Sequence, residues 1–289
     1  MDTQLMNQKE IKSLELFAKK IRLNLIKSLY HLGFGHYGGS LSIVEALAVL
    51  YGKIMRINAD NPQLTDRDYF ILSKGHAGPA YYAALALKGY FSLEMLYTLN
   101  HGGTKLPSHP DRTLTPGVDM TTGSLGQGIS TACGVAKAFQ MDKSSQYVYC
   151  IVGDGELNEG QCWEAVQFAA HNKLDHLVVL LDENKKQLDG TTEEISSAYD
   201  YTEKFRAFGF DTQKVDGKSV AGITRAIEEA KRVKGKPHMI ILDTVKGQGF
   251  PYLEQKADNH HVRPTEKEKE IIRQFIEALE QEIGGEDDV

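Results

Sequence analysis

The apolar positions of this chain alternate between short continuous runs and longer stretches with helical spacing. Short runs rich in β-branched residues occupy positions 147–152 and 177–181, which predicts two buried parallel strands. Residues 160–172 between them carry apolar side chains every three or four positions, which predicts a connecting helix. Together the three segments have the length of one strand–helix–strand unit.

The same patterns continue on both sides of this unit. Apolar residues recur every three or four positions from Ile11 to Leu29, which predicts an amphipathic first helix and not a signal peptide. The other predicted helices are 42–53, 79–87, 91–99, 126–140, part of 192–208, 220–233 and 266–283, and the other predicted strands are 69–72, 212–215 and 238–244. Residues 33–39 are predicted as a glycine-rich turn, 102–122 as a long ordered loop, and 284–289 as a disordered acidic tail.

Strands alternate with helices along the whole chain, and neither a repeat nor a linker interrupts them. This order predicts an α/β fold in which a doubly wound, mostly parallel sheet carries helices on both faces. We expect residues 1–289 to form a single domain with an N-terminal helix and a C-terminal helix.

Composition and charge exclude several classes of function. Hydrophobic residues make up 41% of the chain and charged residues 25%, as in ordinary globular proteins. The formal net charge is −6 and no block of lysine and arginine stands out, so nucleic acid is not the expected partner. No apolar run approaches the length of a membrane span. The three cysteines lie in apolar segments without a CxxC pair, which predicts buried free thiols and a reducing, cytoplasmic location.

Oxygen-bearing side chains follow the ends of the two central strands. Asp154 stands in a Gly-Asp-Gly turn after the first strand, and Asn184 follows the second. Because open α/β sheets bind ligands beyond the carboxyl ends of their strands, we expect the two side chains to share one site. A carboxylate and an amide oxygen suit a hard divalent cation that also holds phosphate oxygens. Gly153 and Gly155 allow close backbone approach to an anion, so the pattern predicts a diphosphate bound through a metal.

This segment resembles the thiamine diphosphate motif of the transketolase family. The stretches GDGELNEG (153–160), EA (164–165) and DENKKQLDG (182–190) match the family's pattern. The resemblance implies that thiamine diphosphate is bound through Mg²⁺, with Ca²⁺ or Mn²⁺ as alternatives. It assigns as metal ligands the side chains of Asp154 and Asn184 and the backbone carbonyl of Lys186.

The resemblance extends to other cofactor-binding positions. It implies that Leu188 packs against a cofactor ring and that Glu159 and Glu164 lie at a subunit interface. The stretch VDMTTGSLGQGIS (118–130) matches the family segment that contacts the aminopyrimidine, and TVKGQG (244–249) matches a turn near the diphosphate. From these two matches, the resemblance implies four further cofactor-binding residues, Gly123, Ser124, Leu125 and Lys246.

Histidines stand in four turns, GHYGGSLS, LSKGHA, LPSHPD and DNHHVRP. The family has histidines in corresponding turns, so the resemblance implies a substrate channel lined by His36, His76, His109 and His260. Imidazole is suited to bind sugar hydroxyls and to move protons near neutral pH. His260 is favoured over His261 because it keeps the family's distance to Pro264, although the two could exchange. Tyr37 replaces the family's usual proline beside His36. This departure bears on the identity of the substrate more than on that of the cofactor.

The resemblance implies transfer of a two-carbon ketol unit from a ketose or ketose phosphate to an aldose or aldose phosphate. The family's usual polypeptide continues into a second domain, which supplies the carboxylate that activates the aminopyrimidine. We therefore expect a separate C-terminal subunit, in an α2β2 assembly, with a truncated polypeptide as the alternative.

Two other functions stay open. The chain could belong to another thiamine diphosphate enzyme, similar to 1-deoxyxylulose-phosphate synthase or to a 2-oxoacid dehydrogenase, as one of its subunits. Those families lack this full histidine set. It could also be a non-catalytic regulatory protein, which would not bind thiamine diphosphate.

Overall fold

Five parallel strands form one central sheet in the computed structural model, which describes residues 6–197 and 199–287. The spatial order is β1-β2-β3-β5-β4, and every neighbouring pair is parallel. The strands are β1 (Tyr69–Leu72), β2 (Val148–Gly153), β3 (Leu177–Glu183), β4 (Asp211–Asp216) and β5 (His238–Asp243). The predicted parallel α/β fold is confirmed.

The α-helices of the described residues cover both faces of the sheet. They are α1 (Gln8–Leu32), α2 (Tyr37–Leu41), α3 (Val44–Val49), α4 (Gly78–Leu87), α5 (Gln127–Met141), α6 (Gly160–His171), α7 (Thr192–Ser196), α8 (Tyr201–Ala207), α9 (Val220–Ala230), α10 (Pro251–Gln255) and α11 (Glu266–Asp287). Leu50–Ile54 is π-helical, and 3₁₀ turns occupy Gly75–Ala77, Leu93–Thr98 and Gly155–Asn158.

Side chains of the central strands alternate between two apolar layers. Val178 and Leu180 of β3 pack in the layer that contains α1, α3, α4, α9 and α11, whereas Val179 and Leu181 pack with α5, α6 and α8. Because successive strand residues point to opposite faces, a strand covered on both faces must be apolar at nearly every position. The three cysteines are buried free thiols, as expected.

Two local predictions are wrong, those of the turn 33–39 and of the tail 284–289. Residues 33–39 are not all turn, because α2 begins at Tyr37. The predicted helix 42–53 is confirmed to within two residues, because α3 begins at Val44 and continues as the π-helical segment Leu50–Ile54.

The predicted tail, residues 284–289, is helical at least to Asp287; the last two positions lie outside the described residues. Packing against α1 extends this helix. Lys19 on α1 forms ion pairs with Glu282 at 2.7 Å and with Glu286 at 2.5 Å, and these contacts support the last turns of α11.

The strand ends determine where a ligand can bind. Strands β1, β2, β3 and β5 run in the same direction and end at one edge of the sheet. Within residues 6–197 and 199–287, none of the helices combines the length and the hydrophobicity of a membrane span.

Candidate active site

A cleft of about 330 Å³ opens at the carboxyl ends of β1, β2 and β3. Each of these strands continues into a turn that contributes side chains to the cleft. The residue pair Gly153 and Asp182 is in register between β2 and β3, so Asp154 and Asn184 follow adjoining strand ends. Both side chains line the cleft, and both are buried.

Backbone N–H groups hold the two side chains in place. The Asp154 carboxylate accepts hydrogen bonds from the backbone N–H of Gly155 at 2.8 Å and of Lys185 at 2.6 Å. The Asn184 side-chain oxygen accepts from the backbone N–H of Lys186 at 3.1 Å, and its nitrogen donates to Asp182 at 2.6 Å. The turn after β3 is thereby fixed to the turn after β2.

The electrostatics of Asp154 favour a cation at this position. Burial, and then the negative charge of Asp182, raise the pKa of the Asp154 carboxyl to about 7. A buried carboxylate beside a second carboxylate is destabilised unless a positive charge compensates it. A bound divalent cation would supply that charge.

Lys246 contributes a positive charge to the lining of the cleft. Its ammonium group donates hydrogen bonds to the carbonyl oxygens of Lys186 at 3.2 Å and Gln187 at 3.3 Å, and to Nδ1 of His260 at 3.0 Å. Burial, and then the charge of Lys74, lower the pKa of Lys246 to about 8. An almost fully buried lysine at the edge of a cleft is suited to bind an anionic group.

Five imidazole rings form a cluster with His36 at its centre. Its ring centre lies 5.6 Å from that of His76, 6.0 Å from His109, 5.3 Å from His260 and 4.8 Å from His261. Burial is the main cause that lowers the pKa of His36 to about 4 and that of His260 to about 3. It also lowers the pKa of His76 and of His109. Neutral imidazoles can each donate one hydrogen bond and accept another, as recognition of hydroxyl groups requires.

The turn at residues 123–126 is attached to the cleft by a buried carboxylate. Glu156 accepts hydrogen bonds from the backbone N–H of Gly126 at 2.8 Å, from that of Gly153 at 3.0 Å and from the Ser73 hydroxyl at 2.5 Å. Gly123 has φ +151, a left-handed value, and a side chain there would press on the His109 ring. This packing brings the turn close to the histidine cluster.

Residues 14–279 match the family model described as transketolase, thiamine diphosphate binding domain. The chain belongs to the transketolase family. The predictions of a transketolase subunit, of its enzyme class and of a thiamine diphosphate binding fold are confirmed.

Curated transketolase subunits of similar length align with almost the whole chain. The 6-deoxy-6-sulfo-D-fructose transketolase subunit SqwG of Clostridium sp. is 51% identical over 265 residues, which cover 92% of this chain and 95% of the relative. An apulose-4-phosphate transketolase subunit of Phocaeicola vulgatus is 39% identical over 280 residues, covering 96% and 99%. Both relatives are named as subunits.

Solved transketolases share the fold but are longer. The enzyme from Campylobacter jejuni superposes with a TM-score of 0.84 at 30% identity, over 94% of this chain and 43% of that chain. A Pichia stipitis transketolase gives a TM-score of 0.83 at 31% identity, over 91% and 41%. The chain therefore spans less than half the length of these solved transketolases.

The oxygen donors of the cleft fit the cofactor of this transketolase domain. Asp154, Asn184 and the Lys186 carbonyl would offer a carboxylate, an amide and a backbone oxygen, the ligand types that Mg²⁺ and Ca²⁺ prefer. Within the part of the chain that the structure describes, no group of three or more His, Cys, Asp or Glu is placed to hold a metal. The donor set Asp154, Asn184 and the Lys186 carbonyl is not a group of that kind. It contains one carboxylate, and its other two oxygens come from an amide and from the backbone.

Most of the predicted transketolase site residues meet at the cleft. Its lining includes the predicted residues His76, Leu125, Gly153, Asp154, Gly155, Glu159, Asn184, Lys186, Leu188, Lys246 and His260. His36 and His109 join through their ring contacts. Both His260 and His261 reach the His36 ring, so the structure brings both members of this pair to the cluster.

Three predicted residues and one expected departure lie elsewhere. Gly123 and Ser124 are not among the residues that line the cleft; Gly123 lies against His109, and Ser124 is exposed. Glu164 is exposed on α6 and does not line the cleft. Tyr37 is fully buried in the core, so its replacement of proline does not place its side chain in the channel.

The structure adds residues that sequence analysis missed. Lys74, Glu156, Asn158 and Gln187 also line the cleft. Lys74 is the second residue after β1 and stands two positions before His76, so its position past a strand end could have identified it. Glu156 and Gln187 lie within the matched motifs, but their types alone gave no reason to separate them from surface residues.

Proposed function

We propose that this chain is the cofactor-binding subunit of a two-chain transketolase that transfers a two-carbon ketol unit from a ketose to an aldose. One juxtaposition supports the proposal most directly. A buried oxygen donor set for a divalent cation lies in the same cleft as Lys246 and a cluster of neutral imidazoles. Metal, anion and hydroxyl binding are thereby combined within one site.

The residues divide into two groups by their chemistry. Asp154, Asn184 and the Lys186 carbonyl would hold Mg²⁺, or Ca²⁺ or Mn²⁺, and Lys246 would balance the charge of the diphosphate. Bound thiamine diphosphate supplies the nucleophilic carbon and electron sink that ketol transfer requires. The four histidines His36, His76, His109 and His260 would bind substrate hydroxyls and hold or accept protons.

The remaining cofactor contacts belong to backbone and apolar groups. We assign contact with the aminopyrimidine to the turn at Gly123, Ser124 and Leu125. We assign packing against a cofactor ring to Leu188. Leu188 is 66% exposed and lines the cleft, as expected of a side chain that covers a ligand. Glu159 and Glu164 are exposed, which leaves both available to a subunit interface.

For the substrate, we propose a ketose or ketose phosphate as donor and an aldose or aldose phosphate as acceptor. The two relatives act, by name, on a sulfo sugar and on a sugar phosphate. We favour a donor with a sulfonate or phosphate on the carbon most distant from the reacting carbonyl. We propose a C-terminal transketolase subunit in an α2β2 assembly as the partner, and we propose that this subunit recognises the anionic group of the donor.

Two further statements about this chain remain predictions from its sequence. They are that residues 1–289 form a single domain and that the protein is cytoplasmic.

Calorimetric titration of the full chain with thiamine diphosphate in excess Mg²⁺ tests the site. We expect saturable binding by the wild type, and binding at least about tenfold weaker by Asp154→Asn, because the substitution removes the charged metal ligand. Absence of binding by the wild type, or equal binding by both proteins, would contradict the proposed site. Asp216→Asn, at the exposed end of β4, is the matched control and should bind like the wild type.

A donor and acceptor screen on the chain purified together with its partner subunit tests the reaction. We expect aldose-dependent cleavage of a ketose and no release of CO₂ from pyruvate. Pyruvate decarboxylation would instead support one of the other thiamine diphosphate families. Full turnover by this chain alone would contradict the need for a partner.

A further inference from the structure

Below the cleft, the Asp182 carboxylate is surrounded by hydrogen-bond donors from four parts of the chain. Its Oδ2 accepts from the Lys74 ammonium at 2.6 Å, the Ser42 hydroxyl at 2.7 Å and the Asn184 side-chain nitrogen at 2.6 Å. Its Oδ1 accepts from the Thr244 hydroxyl at 2.5 Å. Asp182 is completely buried and is not among the residues that line the cleft. Its acceptor capacity is therefore used by protein groups, and it is not positioned as a metal ligand.

The ion pair with Lys74 makes this burial possible. The two side chains are 1% and 0% exposed. A buried carboxylate without a counter-charge is strongly destabilising, whereas a paired and hydrogen-bonded one is tolerated. Lys74 thus keeps Asp182 ionised in a position from which water is excluded.

An ionised Asp182 determines which end of the Asn184 amide faces the cleft. A carboxylate only accepts hydrogen bonds, so the amide nitrogen of Asn184 must point towards it. On the other side, the backbone N–H of Lys186 requires the amide oxygen as its acceptor. Rotation of the amide by half a turn would break both hydrogen bonds and would present an NH₂ group where the proposed cation needs an oxygen ligand.

We propose that Asp182 is a positioning residue that locks the Asn184 amide with its oxygen towards the metal, and that Lys74 maintains this lock by pairing with Asp182. The inference rests on the proposed function, in which Asn184 is a metal ligand. Partners that orient a metal ligand typically contribute 10- to 100-fold to metal affinity. The lock accounts for a completely buried carboxylate that is paired with a lysine of the cleft lining but is not itself positioned as a metal ligand.

An exchange of the two side chains tests the lock. Asp182→Asn removes the ionised acceptor of the Asn184 nitrogen and leaves Lys74 without its counter-charge, so the orientation of the Asn184 amide is held less firmly. We expect calorimetric titration with Mg²⁺ and thiamine diphosphate to show about 10- to 100-fold weaker binding. In the double variant D182N/N184D, position 184 has only oxygens to offer, so orientation no longer matters. We expect its affinity to recover to within about tenfold of the wild type.

Thr244→Val is the matched control. It removes one hydrogen bond from the same buried carboxylate but leaves the contact between Asp182 and Asn184 intact. We expect a lower melting temperature without ligand and an affinity within about threefold of the wild type. A purely structural role of Asp182 would instead weaken binding by Thr244→Val and by the double variant as much as by Asp182→Asn.

The outcomes separate this inference from the proposed function. If the wild type does not bind the cofactor, the proposed function fails first. If the wild type binds and folded Asp182→Asn binds equally well, the lock is wrong. Should Asp182→Asn not fold, the double variant decides: recovered binding supports the lock, and a folded double variant without binding overturns it.

Discussion

Two buried carboxylates that accept hydrogen bonds from several protein groups organise this site at the scale of single residues. Glu156 and Asp182 are both at most 2% exposed, and each accepts hydrogen bonds from loops that are distant in sequence. Charge-assisted hydrogen bonds of this kind are strong, and leaving a buried donor without its acceptor is costly. Glu156 connects the turn at Gly126 to the turn at Gly153, and thereby positions the proposed aminopyrimidine contacts against the proposed diphosphate site.

Glu156→Gln tests this connection. The substitution replaces one acceptor oxygen by an NH₂ group, so the N–H of Gly126 or of Gly153 loses its partner. We expect the free energy of unfolding in urea to fall by about 1–3 kcal/mol. Glu229→Gln, on the exposed face of α9, is the control and should change it by less than about 0.5 kcal/mol. Equal stability of the two variants would show that Glu156 does not hold the turns together.

At the scale of elements, the first turn of α5, which follows the loop of residues 123–126, packs against the end of β1 at Ser73. The backbone N–H of Ile129 donates to the Ser73 hydroxyl at 3.0 Å, and Gly128 lies against the Ser73 backbone. A side chain at Gly128 would overlap the Ser73 Cα atom. The close approach of helix and strand end therefore requires glycine at this position.

Two glycine substitutions on the same helix should have opposite effects. Gly128→Ala must push α5 away from β1, and we expect it to lower the free energy of unfolding by about 1–3 kcal/mol. Gly134 is exposed on α5, and a Cβ atom there would meet nothing within 4 Å. Gly134→Ala should raise the free energy of unfolding by about 0.5–1 kcal/mol, because alanine favours the helix. Chemical denaturation checks both values, and a stabilising Gly128→Ala would contradict the packing described here.

At the scale of the whole molecule, the histidine cluster couples stability to pH. His36 faces the rings of His76, His109, His260 and His261 from three separate loops, and Lys246 adds a positive charge. Burial, and then the charges of His261, His109 and Lys246, lower the pKa of His36 from 6.5 to about 4. Between pH 6.5 and pH 4, His36 binds a proton in the unfolded chain but not in the folded chain. Stability must therefore decrease as the pH falls through this window.

Urea unfolding of the cofactor-free chain between pH 7 and pH 4 tests this coupling. Each such histidine contributes at most about 1.4 kcal/mol per pH unit. We expect the stability of His36→Gln to fall less steeply with decreasing pH than that of the wild type. The control His171→Gln, on the exposed end of α6, should keep the wild-type slope. Parallel curves for His36→Gln and the wild type would contradict a proton-excluding cluster.

Local patterns predicted much of this molecule. Continuous apolar runs marked the buried strands because a sheet covered on both faces needs apolar side chains on both. Boundaries were less predictable. The predicted helix 266–283 is too short, because α11 continues to Asp287, where its last turns form ion pairs with Lys19 of α1. Such contacts involve residues far apart in sequence, which a local pattern does not contain.

The sequence by itself determined the strand–helix–strand unit, the pairing of Asp154 with Asn184 and the four histidine-bearing turns. These follow from local periodicity, from the rule that parallel strand ends face one crevice, and from a motif resemblance. Only the tertiary structure decided that Lys74 of the cleft lining pairs with the buried Asp182, that Glu156 joins two turns, and that His261 reaches the cluster beside His260. Those outcomes depend on distances between residues that the fold alone brings together, and on the cost of burying a charge without its partner.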